Sequence, residues 1–378
     1  MLNYEILRII WWILLGVLLV GFAVMDGFDL GAGILLHRVA RTNAERRQVL
    51  NAVGPTWEGN QVWLILGGGA IFAAWPSLYG LSFSGFYFAM IGVLFALILR
   101  PVGFKYRSKI DNEKWRACWD IGLFIGGFVP ALLFGVAMGN VLRGVPFYFD
   151  DTLRAFYTGS FFALLNPFAI LAGLISVAML SMHGANFLML KTDGAVAQRA
   201  ARYSIGAALL TMLLFGAAGV WVAHLNGYQL VGTINPDGPS NPLYKQAIVV
   251  SGAWIHNYQQ WPWLMLVPLI AFAGAFCSIS FVGMNKALSA WISSAVSVAG
   301  IISTAGISMF PFLMPSSSDP SMSLTVWDAS SSHLTLMIML VATVIFMPII
   351  LFYTSWVYYI MRGKVTSVDI NNHSKDRY

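Results

Sequence analysis

Two aspartates, Asp26 and Asp29, lie three residues apart in a run that is otherwise apolar and glycine-rich, and Glu58 sits in a second such run as PTWEGNQVW. Residues three apart on a helix share a face. A carboxylate in hydrocarbon is costly, so its presence argues for a task. Asn60 and Gln61 add uncharged hydrogen-bonding groups within a turn of Glu58. Carboxylates and amides on adjacent helices suit a proton relay, because each hop needs a titratable or hydrogen-bonding group within a few ångströms. The same groups can instead hold helices together by pairing with a cation such as Arg100. Arg100 and Asp120 both fall near a membrane surface, and the structural reading is the first one for them. Trp57 and Trp63 flank Glu58 and suit an apolar lining for a quinone tail or a gas, whereas most other Trp and Tyr residues fit the interfacial belts of a membrane protein.

Other chemistries find little support. His37, His183, His224, His256, His333 and His373 all fall at expected helix ends, in loops or in the tail, so a transmembrane pair of haem-ligating histidines is not expected. Cys118 and Cys277 lie in apolar stretches without metal-ligand or haem-attachment spacing, which leaves neither a disulfide framework nor a metal site. The expectation is a chain that binds no metal and, alone, no haem.

The elements that must position these residues are membrane helices. Of 378 residues, 58% are hydrophobic and 10% charged, with a mean hydropathy of +0.71, where a soluble domain has about 25% charged residues. Apolar runs predict nine spans in a single integral membrane domain over 1–378: 6–36, 50–74, 80–100, 117–140, 160–188, 200–224, 262–284, 288–313 and 333–361, with a short cytoplasmic tail at 361–378. The first run lacks a basic leader and a small-residue cleavage site, so it reads as an uncleaved helix. With the N-terminus outside, 18 of the 22 Lys and Arg fall on the inside, as the positive-inside rule requires. The net charge of +6 therefore encodes topology, not a nucleic-acid partner. Residues 225–261 and 314–332, rich in Asn, Pro, Ser and Gly, read as ordered outside turns.

Long ordered stretches resemble subunit II of the cytochrome bd-type quinol oxidases, the cyanide-insensitive branch included. They are DGFDLGAG (26–33), GPTWEGNQVWLILGGGAIFAAWP (54–76), SGFYFAM (84–90), RPVGFKYRSK (100–109), LLNPFAILAG (164–173), TAGISMFPFLMPSS (304–317) and SLTVWDASSS (323–332). The resemblance covers essentially the whole chain. It implies an all-α fold of two four-helix bundles plus a peripheral helix, in the bacterial inner membrane. It implies a heterodimer with a haem-bearing subunit I that carries haems b and d, oxidises quinol and reduces dioxygen to water with protons from the cytoplasm. Subunit II then stabilises the complex, carries a structural quinone and contributes a proton path, with small single-span accessory subunits as further partners. Carried over by position, the proton path falls on Asp26, Asp29 and Glu58, and a dioxygen entrance falls near Trp63. Many relatives have Asp where this chain has Glu58, so the carboxyl is kept and lengthened by one methylene. Two other classes stay open: a proton-coupled secondary transporter, which predicts repeat symmetry and a midplane pocket, and a purely structural scaffold.

The charge asymmetry makes a direct prediction. Reporters fused after Tyr378 should be active only in the cytoplasm, and those in the 225–261 loop only outside; cytoplasmic activity of the loop fusion would contradict nine spans.

Overall fold

The computed structural model describes residues 2–366; the remainder of the expected tail, with His373, Lys375 and Arg377, lies outside the described residues. In chain order the helices are α1 (Tyr4–Met25), α2 (Gly27–Val39), α3 (Asn43–Val53), α4 (Trp57–Asn60), α5 (Val62–Ala74), α6 (Pro76–Gly85), α7 (Tyr87–Tyr106), α8 (Glu113–Arg143), α9 (Pro167–Lys191) and α10 (Gly194–Val222). They are followed by α11 (His256–Gln260), α12 (Leu266–Gly283), α13 (Ala287–Met309) and α14 (His333–Ile360). Three two-stranded antiparallel sheets occupy the loops: β1 (Phe147–Phe149) with β2 (Ala155–Tyr157), β3 (Asn226–Val231) with β4 (Gln246–Ser251), and β5 (Phe312–Met314) with β6 (Leu324–Thr325).

Among the described residues eight helices are long and apolar enough to cross a membrane, the first being α1 and α2 run together over Tyr4–Val39. Asp26 at their junction keeps a helical conformation, and Leu30 N–H donates to its carbonyl at 3.0 Å, so the rod is continuous. The expected span 50–74 differs: Gly54 and Pro55 end α3, Gln61 interrupts the helix again, and α5 has only 13 residues. It crosses nonetheless. Its start is tied to one end of the molecule, where Glu45 pairs with Arg199, and its finish to the other, where Ser331 N–H donates to Ala74 O at 2.8 Å. The N-terminal end, where Tyr4 OH donates to Ser331 O at 2.5 Å, and the C-terminal end, where Val365 N–H donates to Lys191 O at 2.8 Å, are likewise on opposite faces. An odd number of passes is therefore required, and the segmented one makes nine. The run 80–100 also begins later than expected: α6 is a separate short helix started by Pro76, and the third pass is α7.

The first bundle is α1–α2, α4–α5, α7 and α8; the second is α9, α10, α12 and α13. The long α14 lies outside both, with Leu336 its one fully buried residue. The bundles meet where α2 is wedged between α8 and α9, and there the helices need glycine. A Cβ on Gly31 would stand 1.9 Å from the Leu180 carbonyl oxygen of α9, and one on Gly127 of α8 would stand 2.6 Å from Leu30 O. Small residues are how membrane helices reach such contact, since lipid supplies no hydrophobic drive to press them together.

The turns expected at 225–261 and 314–332 are ordered, with the β3–β4 hairpin, α11 and the β5–β6 pair. Buried Arg8 anchors them: its Nε donates to Ser330 Oγ at 2.8 Å and its Nη2 to Gly238 O at 3.0 Å and Ser240 Oγ at 2.9 Å, and its guanidinium lies 3.6 Å from the Tyr4 ring centre. Lys245 and Asp328, both buried, pair at 2.8 Å beside it. Burial lowers the Lys245 ammonium from its ordinary value, and Asp328 opposes that shift.

Overpacking a tight backbone contact costs about 1–3 kcal/mol. Gly31→Ala should therefore lower the melting temperature and the yield of detergent-extracted protein, while Gly16→Ala, with nothing within 4 Å of the added carbon, should leave both unchanged.

Candidate functional site

Four helices bring polar groups together in the interior of the first bundle. Asp26, at the α1–α2 junction, is fully buried, and Arg100, in the last third of α7, is 2% exposed. Their contact is bidentate: Nη2 donates to Oδ1 at 3.0 Å and Nη1 to Oδ2 at 3.2 Å. The Arg100 stem passes Gly126 of α8, where a Cβ would stand 2.7 Å from its Cγ, so that glycine makes the room. One turn along α2, buried Asp29 accepts from Asn60 Nδ2 at 2.7 Å through Oδ2, while its Oδ1 has no partner among the described residues. Asp29 and Arg100 also line a cavity of about 10 Å³ closed by Leu36, Leu50, Phe104 and Leu123, on the scale of a single water. Asn60 Oδ1 in turn accepts from Tyr358 OH on α14 at 2.8 Å.

Charge counting defines what the site can do. One guanidinium faces two carboxylates, so with both ionised one negative charge is uncompensated in a buried setting. A group in that position can exchange a proton with its surroundings at small structural cost, because Asp26 already occupies both terminal guanidinium nitrogens and Asp29 keeps an oxygen without a partner.

The expected group is only partly assembled. Asp26, Asp29, Asn60 and Arg100 come together, and Arg100 is a member of the cluster, not a group near the surface. Glu58 is not buried with them: its side chain is 61% exposed and lies 3.6 Å from Lys105 Nζ. The break at Gly54–Pro55 explains this, because the restarted turn of α4 points Trp57 and Asn60 inward and leaves Glu58 and Gly59 outside. Gln61 is half-buried at the second break, before α5. Trp57 is 2% exposed and stacked on Phe104 with centroids 5.2 Å apart, so it offers no open face to a quinone or a gas. Trp63 is half-buried against Gly21 of α1.

Asp120 is paired with two arginines. Fully buried, it accepts from Arg107 Nε at 2.5 Å and Nη2 at 3.2 Å and from Arg46 Nη1 at 2.7 Å, and Arg107 reaches Asn43 Oδ1 at 3.0 Å. This clamp joins α3, α7 and α8 where they leave the bundle. Beside it the Glu45 carboxyl is lowered to about 2, chiefly by its hydrogen bond from Arg199.

His183 corrects the sequence expectation. It lies well inside α9 and is fully buried, with Nδ1 2.8 Å from Ser294 Oγ, Nε2 2.9 Å from Val24 O, and its ring stacked on Trp291. The helix runs to Lys191, three residues beyond the expected end, which moves the histidine inward. Both ring nitrogens are engaged, so neither is free for an iron. Tyr358 was the residue missed. It sits in YTSWVYYI, where aromatic density reads as an interfacial belt, and only a helical-wheel placement relative to α4 would have singled it out.

Comparison with known proteins bears on the whole chain. A family model described as cytochrome bd terminal oxidase subunit II matches residues 7–361. The chain is 51% identical over 376 residues to the probable cytochrome oxidase subunit 2 of Haemophilus influenzae, covering 99% of this chain and 100% of that one. It is 50% identical over 379 residues to the cytochrome bd-I ubiquinol oxidase subunit 2 of Escherichia coli, covering 100% of both. In fold it is similar to a chain of the bd oxidase from Geobacillus thermodenitrificans, with a TM-score of 0.70, 17% identity, and coverage of 94% of this chain and 98% of that one.

Removing one partner of a buried ion pair costs about 3–5 kcal/mol. Arg100→Gln should thus sharply reduce the yield of folded protein, and Arg100→Gln combined with Asp26→Asn should recover most of it. Wild-type stability of Arg100→Gln alone would show that the pair does not hold the helices.

Proposed function

The chain belongs to the cytochrome bd terminal oxidase subunit II family, and from that premise we propose that its own contribution to quinol oxidation and dioxygen reduction is a proton path through Asp29. It is a subunit of a quinol oxidase of the bacterial inner membrane. The partner we propose is a haem-bearing subunit I that carries haems b and d. The chain itself is proposed to hold none, a reading supported by the engaged nitrogens of His183. The proposed orientation puts the N-terminus outside and the end carrying Arg46, Arg107 and Arg199 in the cytoplasm, where basic loops belong.

The observation that carries the reading is the unequal treatment of the two aspartates. Asp26 spends both oxygens on Arg100, whereas Asp29, which lines a cavity the size of a water, keeps one oxygen without a partner. Asp26 is then the fixed counter-charge and Asp29 the carrier. Glu58, exposed on α4 beside Lys105 of α7, fits an outer station that collects protons before Asp29. The half-buried Trp63 ring and the exposed Ile65 next to it on α5 fit the apolar tail of a structural quinone or a dioxygen entrance from lipid. Small single-span subunits remain part of the proposed assembly. A scaffold role is the second reading, favoured by the clamp at Asp120; a secondary transporter is disfavoured, because Asp26 is committed to Arg100 and Asp29 to Asn60.

Turnover per haem in the assembled oxidase separates these readings. Asp29→Asn keeps the shape and the Asn60 contact but cannot carry a proton, so it should slow dioxygen reduction about 10- to 100-fold, equivalent to roughly 1.4–2.8 kcal/mol on the limiting step, with assembly intact. Glu58→Gln should act in the same direction, and Asp26→Asn should mainly lower the yield of complex. Normal turnover per haem in the Asp29→Asn, Glu58→Gln double variant across pH 6 to 8 would leave a scaffold.

A further inference from the structure

A carboxylate that loads and releases a proton needs a neighbour that does not reorganise with it, and for Asp29 that neighbour is Asn60. The amide has two ends of opposite character, an NH₂ that only donates and an oxygen that only accepts. In the buried Asn60 the NH₂ faces Asp29 Oδ2 at 2.7 Å and the oxygen faces Tyr358 OH at 2.8 Å. Turned by 180°, the amide would set its oxygen against the carboxylate, a repulsive contact with no water to relieve it. With the NH₂ held to the carboxylate, the amide oxygen needs a donor on the far side, and that donor is a phenol on the peripheral helix.

We propose that Tyr358 is a positioning residue for Asp29, its hydroxyl holding the oxygen end of the Asn60 amide so that Oδ2 of Asp29 stays an acceptor and the exchangeable proton resides on Oδ1, the oxygen without a partner. The proposal rests on the reading of Asp29 as a proton carrier. Three observations converge on it. The outward-facing residues of α14 are exposed along its middle, Ile345, Phe346, Ile349 and Phe352 among them, whereas Tyr358 packs against the core of the first bundle. The chain just beyond is strapped down: Lys191 Nζ donates to Met361 O, and Gln48 Nε2 donates to Val365 O at 2.8 Å. The charged or titratable groups around Asp29 are otherwise Asp26 on its own rod and Arg100 on α7, which are committed to each other, while His183 on α9 turns to Ser294 and Val24. Tyr358, through Asn60, is thus the adjustable contact of the carrier.

The test uses the assembled oxidase with wild-type, Tyr358→Phe, Asp29→Asn and the double variant, each normalised to haem, together with the infrared carboxyl vibration assigned to Asp29 by its absence in Asp29→Asn. Tyr358→Phe should shift that band and slow turnover about three- to tenfold, and it should add nothing in the Asp29→Asn background. An unshifted band and unchanged turnover in Tyr358→Phe, with Asp29→Asn slow, would overturn the positioning role and leave the carrier reading standing. A Tyr358→Phe loss that persists undiminished in the double variant would also overturn it, since the phenol would then act independently of Asp29. Wild-type turnover in Asp29→Asn would remove the carrier reading itself, and the band shift alone would then report whether the phenol still orients the amide.

Discussion

A single guanidinium set against two carboxylates inside a lipid-embedded bundle is the constraint around which this molecule is organised. Isolated charges in that environment are expensive, so Arg100 must have a partner and can fully satisfy only one. The bidentate contact with Asp26 uses both terminal nitrogens. Asp29 is left with a neutral amide and a cavity. The asymmetry follows from the arithmetic of donors and acceptors, and it separates a residue that holds the structure from one that can change its protonation without taking the structure apart.

The backbone has to come close for that arrangement to exist. The rod of α1–α2 lies between α8 and α9 at distances that exclude a Cβ at Gly31, Gly127 and Gly184, and Gly126 vacates the channel through which the Arg100 side chain reaches inward. The glycines of DGFDLGAG therefore serve the same end as its aspartates. They bring three helices within reach of the two charges, and they let backbone stand where side chains would push the carboxylates apart.

Much of this was legible in residue types and spacing. The apolar runs and the distribution of Lys and Arg were enough for the number of crossings, and the intramembrane charges marked Asp26, Asp29 and Arg100. Glu58 was misplaced because helical periodicity assumes an unbroken helix, and Gly54–Pro55 resets the phase three residues before it. His183 was misplaced because the helix end was set at 188, three residues short of Lys191, where hydropathy falls off gradually. Tyr358 was unreadable for a different reason: its partner lies 298 positions away, and an aromatic near the end of a membrane helix has the same composition whether it faces headgroups or a buried amide. Trp57 illustrates the converse, an aromatic whose type suggested a ligand surface and whose place in the core denies it one.

Several polar groups of the site sit beside helix junctions, prolines or ends, and the physics of membrane helices bears on why. An unbroken helix satisfies its own backbone and presents only side chains, and in lipid it is straight and apolar. Asp26 occupies the α1–α2 junction, Asn60 the end of the four-residue α4, Arg100 the position before Pro101 in α7, and Tyr358 the last turn of α14. Groups from four different helices thus converge on one point without any helix being polar along its length. The segmented second crossing is then the means by which an amide enters the bundle, and the strap that closes on α14 is the means by which a helix lying outside both bundles reaches that amide beside Asp29.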